Sequence, residues 1–194
     1  PEQVRAISRS FGAARPNTGW GMTETNAIGA GHSGSDYLNH PESAGLVSAV
    51  LEVRIVAEDG RVLPLMERGE LQIRGTSVVR GYWNRPDADA ESFVDGWFRT
   101  GDVAYVDHDG FVYIVDRLKD MVIRGGENIG CAGVESAIVE HPAILEACVY
   151  GVPDPRLGEE VGATVYATAP VTEAELRAFL EPRLARFQIP RYIT

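Results

Sequence analysis

The chain has 194 residues, of which 44% are hydrophobic and 24% are charged, and its formal net charge is -10 at pH 7. This length and composition allow one large globular domain or two small ones. The acidic residues are spread along the chain, which argues against a nucleic-acid-binding protein, because the phosphate backbone attracts clustered cations.

The first predicted element is a short amphipathic helix, because apolar residues recur at helical spacing over residues 4–11 and Gly12 follows as a stop signal. A loop rich in glycine, serine and asparagine then runs to about residue 41. Over residues 46–73, hydrophobic and polar residues alternate around an Asp-Gly turn at 59–60. This alternation predicts antiparallel strands with one solvent-exposed face.

A hairpin is predicted next. The apolar runs 103–106 and 111–115 flank the turn residues Asp107-His108-Asp109-Gly110. The pattern then becomes mixed, with strands predicted at 121–123, 147–151 and 161–167 and a helix over 134–139.

A second helix is predicted near the end of the chain. Thr172 and Glu175 have the spacing of a capping box, and Pro182 ends or kinks the helix that they begin. An all-β portion therefore gives way to a small α+β portion, and the change falls near Lys119, the single lysine of the sequence.

The cysteines and histidines do not have the spacing of a metal site. Cys131 and Cys148 form no Cys-x-x-Cys pair, and the four histidines are scattered. We expect reduced thiols in a cytoplasmic protein. The sequence has no apolar run of the ~18 residues that a transmembrane helix requires. Because it starts at Pro1 without a methionine or signal sequence, we expect a partial segment of a soluble protein.

The first candidate ligand-binding segment is Gly19-Trp20-Gly21-Met22-Thr23-Glu24-Thr25. Glycines on both sides of an aromatic residue let the ring lie flat on a planar ligand. The threonine can supply a hydroxyl to a phosphate, and the glutamate a carboxylate to a divalent cation. The alternative is that Trp20 fills the core and Thr23-Glu24 is a simple turn.

The second candidate segment contains Asp102, which follows Thr100-Gly101. A carboxylate can accept hydrogen bonds from both hydroxyls of a ribose, so we expect an aspartate held at the start of a strand to bind a nucleotide. Arg117, after the hairpin, could lie across from it. The alternatives are an Asx turn at Asp102 and a surface ion pair at Arg117.

The third candidate is the pair Gly125-Gly126, which follows the predicted strand 121–123. Two adjacent glycines permit either a narrow channel for a ligand or a turn with positive φ. The pair alone does not distinguish these alternatives.

The order and spacing of these motifs resemble the successive signatures of the AMP-forming acyl-CoA synthetase family, also called adenylate-forming enzymes. The resemblance extends over essentially all 194 residues. Four segments carry it: Gly19-Trp20-Gly21-Met22-Thr23-Glu24, Trp97-Phe98-Arg99-Thr100-Gly101-Asp102, the run from Asp116 to Asn128 that contains Gly125-Gly126, and the run from Gly151 to Glu159.

The resemblance implies an ATP-dependent acid–thiol ligase. Such enzymes convert a carboxylic acid and ATP to an acyl-adenylate, and coenzyme A then attacks the adenylate after the small C-terminal domain has rotated. The run from Arg117 to Asn128 resembles fatty acyl-CoA synthetases, so a fatty acid is the expected substrate and fatty acid metabolism the expected context. ATP, Mg²⁺ and coenzyme A are the expected cofactors, without nucleic acid or a transmembrane segment.

The resemblance also assigns site residues. Gly19, Trp20 and Gly21 would form the nucleotide loop, with Trp20 in the place of the aromatic residue that stacks on adenine. Thr23 would contact phosphate and Glu24 would hold Mg²⁺, which makes these two the catalytic residues. Asp102 would bind the ribose with help from Arg117. Lys119 would be the hinge, and Gly125 and Gly126 would line the coenzyme A channel.

The fold that the resemblance implies is α+β. Residues 1–118 would form the end of a large adenylate-forming domain, with an antiparallel β-barrel-like subdomain. Residues 119–194 would form the small mobile C-terminal domain, without its last part.

Two departures from the family pattern affect these expectations. Gly130, Cys131 and Gly133 replace bulkier or more rigid residues, which predicts a looser backbone. The family's catalytic lysine follows a Pro-Arg motif, here Pro190-Arg191, and the sequence contains no lysine after it. We therefore expect this segment alone to be inactive. The alternatives are a ligase that loads a carrier protein and a non-enzymatic nucleotide-binding module.

Overall fold

The structure is a computed structural model, and it describes residues 15–194. The chain divides into two compact units, the first ending at Ile114 and the second running from Val115 to Thr194. The predicted α+β class is confirmed. The helix predicted over residues 4–11 lies outside the described residues. Within residues 15–194, every helix is too short or too polar to cross a membrane.

Eight strands form an antiparallel sheet in the first part of the chain. They are β1 (Asn17–Trp20), β2 (Ala30–Ser33), β3 (Gly45–Val47), β4 (Leu51–Val56), β5 (Gly69–Gly75), β6 (Phe93–Val94), β7 (Trp97–Val106) and β8 (Phe111–Arg117). Their order is β1-β2-β3-β8-β7-β5-β4, and β6 pairs with β7. Because the order has two ends, β1 and β4, the described strands form an open sheet. The barrel-like subdomain that the resemblance implied is therefore not a closed barrel.

Two short helices accompany this sheet, α1 (Ser35–Asn39) and α2 (Pro86–Ser92). Proline begins α2 because its missing N–H and fixed φ suit the first helical position. The apolar face of the sheet packs into a core that excludes water and stabilises the unit. Its buried members are Ala30, Ile55, Leu71, Ile73, Phe98, Ala104 and Val112.

The second unit consists of a mixed sheet and two helices. Its strands are β9 (Met121–Arg124), β10 (Glu127–Gly130), β11 (Ile144–Asp154), β12 (Gly158–Ala167) and β13 (Tyr192–Ile193), and its helices are α3 (Cys131–Val139) and α4 (Glu173–Leu180). The strand order is β10-β9-β12-β11, and β13 runs parallel to β12. Buried residues of both helices, including Val134, Ile138, Leu176 and Leu180, share one core with the sheet.

The longer predicted elements agree with this fold. The hydroxyl of Thr172 accepts a hydrogen bond from the backbone N–H of Glu175, so the predicted capping box is confirmed, and α4 ends before Pro182. The Asp-Gly turn at 59–60 is also present, with a positive φ at Gly60. The predicted long loop to residue 41 was wrong in part, since it contains β1, β2 and α1. These elements are four or five residues long, too short for a clear periodicity.

Candidate functional site

The first candidate segment lies next to the second in the first unit. The indole Nε1 of Trp20, in β1, donates a hydrogen bond to Oδ2 of Asp102, in β7, at 2.9 Å. The two residues are 82 positions apart, and three strands separate β1 from β7 in the sheet order. The curvature of the sheet therefore brings together two side chains that the motifs had placed in different segments.

Asp102 lies in the interior of β7 and not at a strand start as expected. Its strand pairs with β5 at Gln72↔Arg99 and at Glu70↔Val103, so three residues of β7 lie opposite one residue of β5. Gly101 is the middle of this bulge and has φ of +71°. A bulge redirects the side chains beside it, and glycine reaches this conformation without steric strain.

The carboxylate of Asp102 is buried, with 4% of the residue exposed. Its backbone N–H donates to the hydroxyl of Thr100 at 3.0 Å, and that hydroxyl donates to the carbonyl of Leu71 at 2.7 Å. These bonds fix the bulge to β5. The structure therefore holds Asp102 on a rigid support, as the binding of a ligand diol requires.

The backbone around Trp20 leaves no room for other residues at two glycines. A Cβ on Gly29 would lie 2.1 Å from the carbonyl oxygen of Trp20 and 2.7 Å from its Cε3 atom. A Cβ on Gly21 would lie 2.6 Å from the carbonyl oxygen of Ala27. Gly21 belongs to the candidate segment predicted from the sequence, whereas no sequence pattern indicated Gly29. Trp20 also packs against the core of the unit, so its ring is both a core contact and a candidate site group.

Thr23 and Glu24 lie in a short 3₁₀-helix, Thr23–Thr25, where a turn was the alternative prediction. Thr23 is exposed and Glu24 is partly buried. The carbonyl of Glu24 accepts a hydrogen bond from the backbone N–H of Val79 at 2.8 Å, and the amide of Asn26 donates to the carbonyl of Ser77 at 2.9 Å. The loop is thus anchored to the segment after β5.

Tyr82 contacts a predicted site residue, and no sequence motif indicated it. Its hydroxyl donates a hydrogen bond to Oε1 of Glu24 at 2.7 Å. Burial raises the pKa of Tyr82, and the neighbouring Glu24 carboxylate raises it further. The phenol therefore stays a donor and holds the carboxylate in place. The contact spans 58 residues, and the signal in the sequence is only a lone tyrosine between Gly81 and Trp83.

Glu24 is the carboxylate of this loop that could hold a metal ion. Among residues 15–194, no three His, Cys, Asp or Glu side chains cluster closely enough to form a metal site. Mg²⁺ typically uses one or two protein carboxylates together with substrate phosphates and water. A single oriented carboxylate therefore suits Mg²⁺ that arrives with a phosphate ligand.

The other predicted site residues belong to the second unit. Arg117 ends β8, and Lys119 lies exposed in a 3₁₀-helix, Leu118–Asp120. Gly125 and Gly126 form the turn between β9 and β10, with φ of +59° and +89°. The positive-φ turn that the sequence allowed is therefore present. Its glycines are exposed.

Gly130 and Cys131, the departures from the family pattern, lie in regular structure. Gly130 ends β10, and Cys131 begins α3. A Cβ on Gly130 would lie 2.7 Å from Oδ2 of Asp116, so glycine leaves room for this carboxylate. Oδ2 of Asp116 accepts a hydrogen bond from the backbone N–H of Ala132, in the first turn of α3, at 3.1 Å. Asp116 thereby replaces the missing side-chain cap.

A cluster of charges centred on one buried carboxylate lies beside the glycine turn, and no sequence pattern indicated it. Glu160 is 2% exposed. It accepts two hydrogen bonds from Arg124, at 2.7 and 3.0 Å, and one from Arg191 at 3.3 Å. The carboxylate therefore joins β9, at the edge of the glycine turn, to the Pro190-Arg191 segment.

Two family models match the sequence. The model of the "AMP-binding enzyme" matches residues 1–83, and the model of the "AMP-binding enzyme C-terminal domain" matches residues 133–194. The two matches lie on either side of the boundary at residue 114. Together they cover most of the chain.

Characterised proteins of similar sequence include two CoA ligases. A feruloyl-CoA synthase from Amycolatopsis sp is 46% identical over 154 residues, which are 78% of this chain and 31% of that protein. A 2-succinylbenzoate–CoA ligase from Bacillus cytotoxicus is 41% identical over 174 residues, which are 90% of this chain and 36% of that protein. The chain spans about a third of the length of these curated relatives.

Solved structures with a similar fold include the o-succinylbenzoate CoA synthetase of Bacillus subtilis in complex with its acyl-adenylate intermediate. It superposes with a TM-score of 0.90 at 35% identity, over 100% of this chain and 40% of that chain. An amide bond synthetase, McbA from Marinactinospora thermotolerans, superposes with a TM-score of 0.86 at 33% identity, again over 100% of this chain and 40% of that one.

Proposed function

This chain belongs to the family of AMP-binding enzymes that contains the AMP-forming acyl-CoA synthetases, and we propose that it forms the nucleotide-binding portion and the C-terminal domain of an acid–CoA ligase. In the proposed reaction, a carboxylate oxygen of the acid attacks the α-phosphorus of ATP and pyrophosphate leaves. The thiol of coenzyme A then attacks the acyl carbon, and AMP leaves.

The observation that carries this proposal is the contact between Trp20 and Asp102. The first side chain offers an aromatic ring for a base, and the second offers a buried carboxylate for a ribose diol. The bond also gives a partner to two polar groups that are partly or fully shielded from water. Their contact within one unit supports a nucleoside site with both halves in place.

Thr23 and Glu24 serve the phosphate end of this proposed site. The Thr23 hydroxyl donates to a phosphate oxygen, and Glu24, held by Tyr82, supplies a carboxylate to Mg²⁺. Bound there, Mg²⁺ would offset the negative charge that develops on the phosphates.

The second unit serves the second half-reaction in this proposal. Lys119 is the hinge, and Arg117 assists in ribose binding. Gly125 and Gly126 line the channel for the pantetheine arm of coenzyme A, because an exposed turn without side chains lets a narrow ligand approach the backbone. The division into residues 1–118 and 119–194 remains a prediction.

An aromatic carboxylic acid is the proposed substrate. The expectation of a fatty acid is not supported, because the relatives reported above are named for feruloyl and 2-succinylbenzoate groups. Both names denote acids with an aromatic ring.

The proposed activity is tested in the complete gene product that carries this chain. Ferulate, 2-succinylbenzoate and decanoate are each supplied with ATP, Mg²⁺ and coenzyme A, and acyl-CoA and AMP are measured by mass spectrometry. We expect thioester formation with an aromatic acid and little with decanoate. Release of ADP in place of AMP, or no product from any acid, would refute the proposal.

Matched variants test whether ATP binds at the proposed site. Asp102→Asn is expected to weaken ATP binding by at least about tenfold, because a hydrogen bond to a charged group contributes ~1.5–3 kcal/mol. Asp109→Asn, in the exposed turn between β7 and β8, serves as the control and should leave ATP binding unchanged. Equal effects of the two variants would argue against a nucleotide site at Asp102.

The likeness to an amide bond synthetase favours a second candidate, in which an amine takes the acyl group from the adenylate. An assay that offers both an amine and coenzyme A distinguishes the two, because one product is an amide and the other a thioester. A carrier protein as acceptor and a non-enzymatic nucleotide-binding module remain the alternatives from the sequence.

A further inference from the structure

We propose that Trp20 positions Asp102 for ribose recognition through its indole N–H, in addition to offering its ring to the base. The inference rests on the proposed nucleotide site and deepens it. It makes Trp20 a determinant of the preference for a ribose with intact 2′ and 3′ hydroxyls.

The chemistry of the two groups fixes the direction of the hydrogen bond. An indole N–H can only donate, so Oδ2 of Asp102 must accept at the observed 2.9 Å. A carboxylate has about four acceptor positions on its two oxygens. The indole uses one of them, and a vicinal diol needs two. The bond to Trp20 therefore selects the orientation of the carboxylate without exhausting its capacity for the ribose.

The backbone holds both residues in place, so the hydrogen bond from Trp20 can fix the position of the Asp102 carboxylate. Trp20 lies in β1, paired with Ala30 of β2, and Gly29 allows the backbone to lie directly against its ring. Asp102 lies on the bulge fixed by Thr100. The bond from the indole N–H restricts rotation about the side-chain bonds of Asp102 and so favours one orientation of its carboxylate.

Stacking alone does not account for this arrangement. A phenylalanine at position 20 could present a flat ring to a base but could not donate to Asp102. With Asp102 only 4% exposed, an orienting donor has a large effect, because a hydrogen bond to a charged group is stronger in a region shielded from water. The substitution Trp20→Phe therefore removes the hydrogen bond to Asp102 and keeps an aromatic ring for the base.

The experiment measures two nucleotides with three forms of the 194-residue chain. AMP and 2′,3′-dideoxyadenosine monophosphate are titrated by NMR into the wild-type chain, Trp20→Phe and Asp102→Asn. Because both nucleotides carry the same base, a change in stacking affects them equally. The ratio of the two dissociation constants then reports the interaction with the ribose hydroxyls.

We expect the wild-type chain to prefer AMP by about tenfold or more, and Asp102→Asn to lose most of this preference. Trp20→Phe should reduce the preference at least about threefold. A Trp20→Phe chain that keeps the full preference while Asp102→Asn loses it would overturn this inference and leave the nucleotide site intact. No AMP binding by the wild-type chain, or a preference that survives Asp102→Asn, would overturn the nucleotide site and this inference with it.

A second measurement needs neither a nucleotide nor a stable Trp20 variant. The chain has three tryptophans, and their indole N–H signals are assigned with Trp83→Phe and Trp97→Phe. The Trp20 indole proton should exchange with water at least about tenfold more slowly than that of Trp83, which is 97% exposed, and should shift in Asp102→Asn. An exchange rate equal to that of Trp83 would show that the bond does not form and would overturn the inference.

Discussion

Replacement of Asp116 by alanine should destabilise the second unit by about 2–3 kcal/mol. The residue is 8% exposed, and each of its carboxylate oxygens accepts one backbone hydrogen bond. Oδ1 accepts from the N–H of Arg117 at 2.8 Å, and Oδ2 accepts from the N–H of Ala132 at 3.1 Å. Gly130, the N-cap residue of α3, has no side chain and cannot cap the helix in place of Asp116.

The magnitude follows from the two bonds. Loss of a helix N-cap costs ~1 kcal/mol, and loss of the second, partly buried hydrogen bond, from the backbone N–H of Arg117, adds ~1–2 kcal/mol. Asp116→Asn keeps the shape but offers only one acceptor oxygen, so about half of the loss is expected. In a domain of this size, 1 kcal/mol corresponds to ~4–8 °C in Tm.

The assay combines urea unfolding, followed by NMR signals of α3, with amide hydrogen exchange at Ala132. Asp120→Ala is the matched control, because that aspartate is exposed in the adjacent 3₁₀-helix. It should change stability by less than ~0.5 kcal/mol. If Asp116→Ala has no larger effect than the control, or if the exchange of Ala132 is unchanged, the capping role is refuted.

The same variant has a second expected consequence. Burial, followed by the neighbouring Asp116 carboxylate, raises the pKa of the Cys131 thiol to about 12. Removal of this carboxylate should lower the pKa of Cys131 and speed its alkylation under native conditions. Unchanged alkylation would contradict the electrostatic contact between the two residues.

Three further predictions follow from other contacts. Gly29→Ala should displace the tryptophan of β1 and destabilise the first unit by more than 2 kcal/mol, roughly the range for overpacking. Gly31→Ala is the control, because a Cβ on Gly31 meets only ordinary contacts. Equal Tm values for the two variants would contradict this prediction. Burial, and then the neighbouring Asp107, raise the pKa of Tyr113 from 10.0 to about 12. Between pH 10 and 12 the folded chain therefore keeps a proton that the unfolded chain releases, and the free energy of unfolding should fall as the pH rises. The fall should be smaller in Tyr113→Phe, and identical pH profiles for the two proteins would be inconsistent with the raised pKa. Iodoacetamide at pH 8 should modify the exposed Cys148 well before the buried Cys131. Peptide mass spectrometry measures the two rates, and equal rates would contradict this expectation.

Local sequence patterns predicted several elements because their determinants are close in sequence. The capping box at Thr172 needs only its neighbour three residues away, and a two-residue period marks β4 and β5 directly. The positive φ at Gly125 and Gly126 was one of the two alternatives that adjacent glycines allow. For the same reason the motif order was sufficient to recognise the family.

The strands β1 and β2, which lie in the predicted loop, could not be recognised from local sequence patterns. Each of these strands is four residues long, and their pairing places Gly19 opposite Gly31, so the sequence shows no apolar alternation there. The bulge at Gly101 was likewise invisible, because it is defined by the register against β5.

By itself the sequence determined the family and the α+β class and gave the candidate site residues, since each depends on short runs of neighbouring residues. The tertiary structure alone decided which of these residues meet. Trp20 reaches Asp102 across 82 residues, and Tyr82 reaches Glu24 across 58. Both contacts require strands and loops that are distant in sequence to lie side by side. That arrangement depends on the packing of the whole unit, which no single segment encodes.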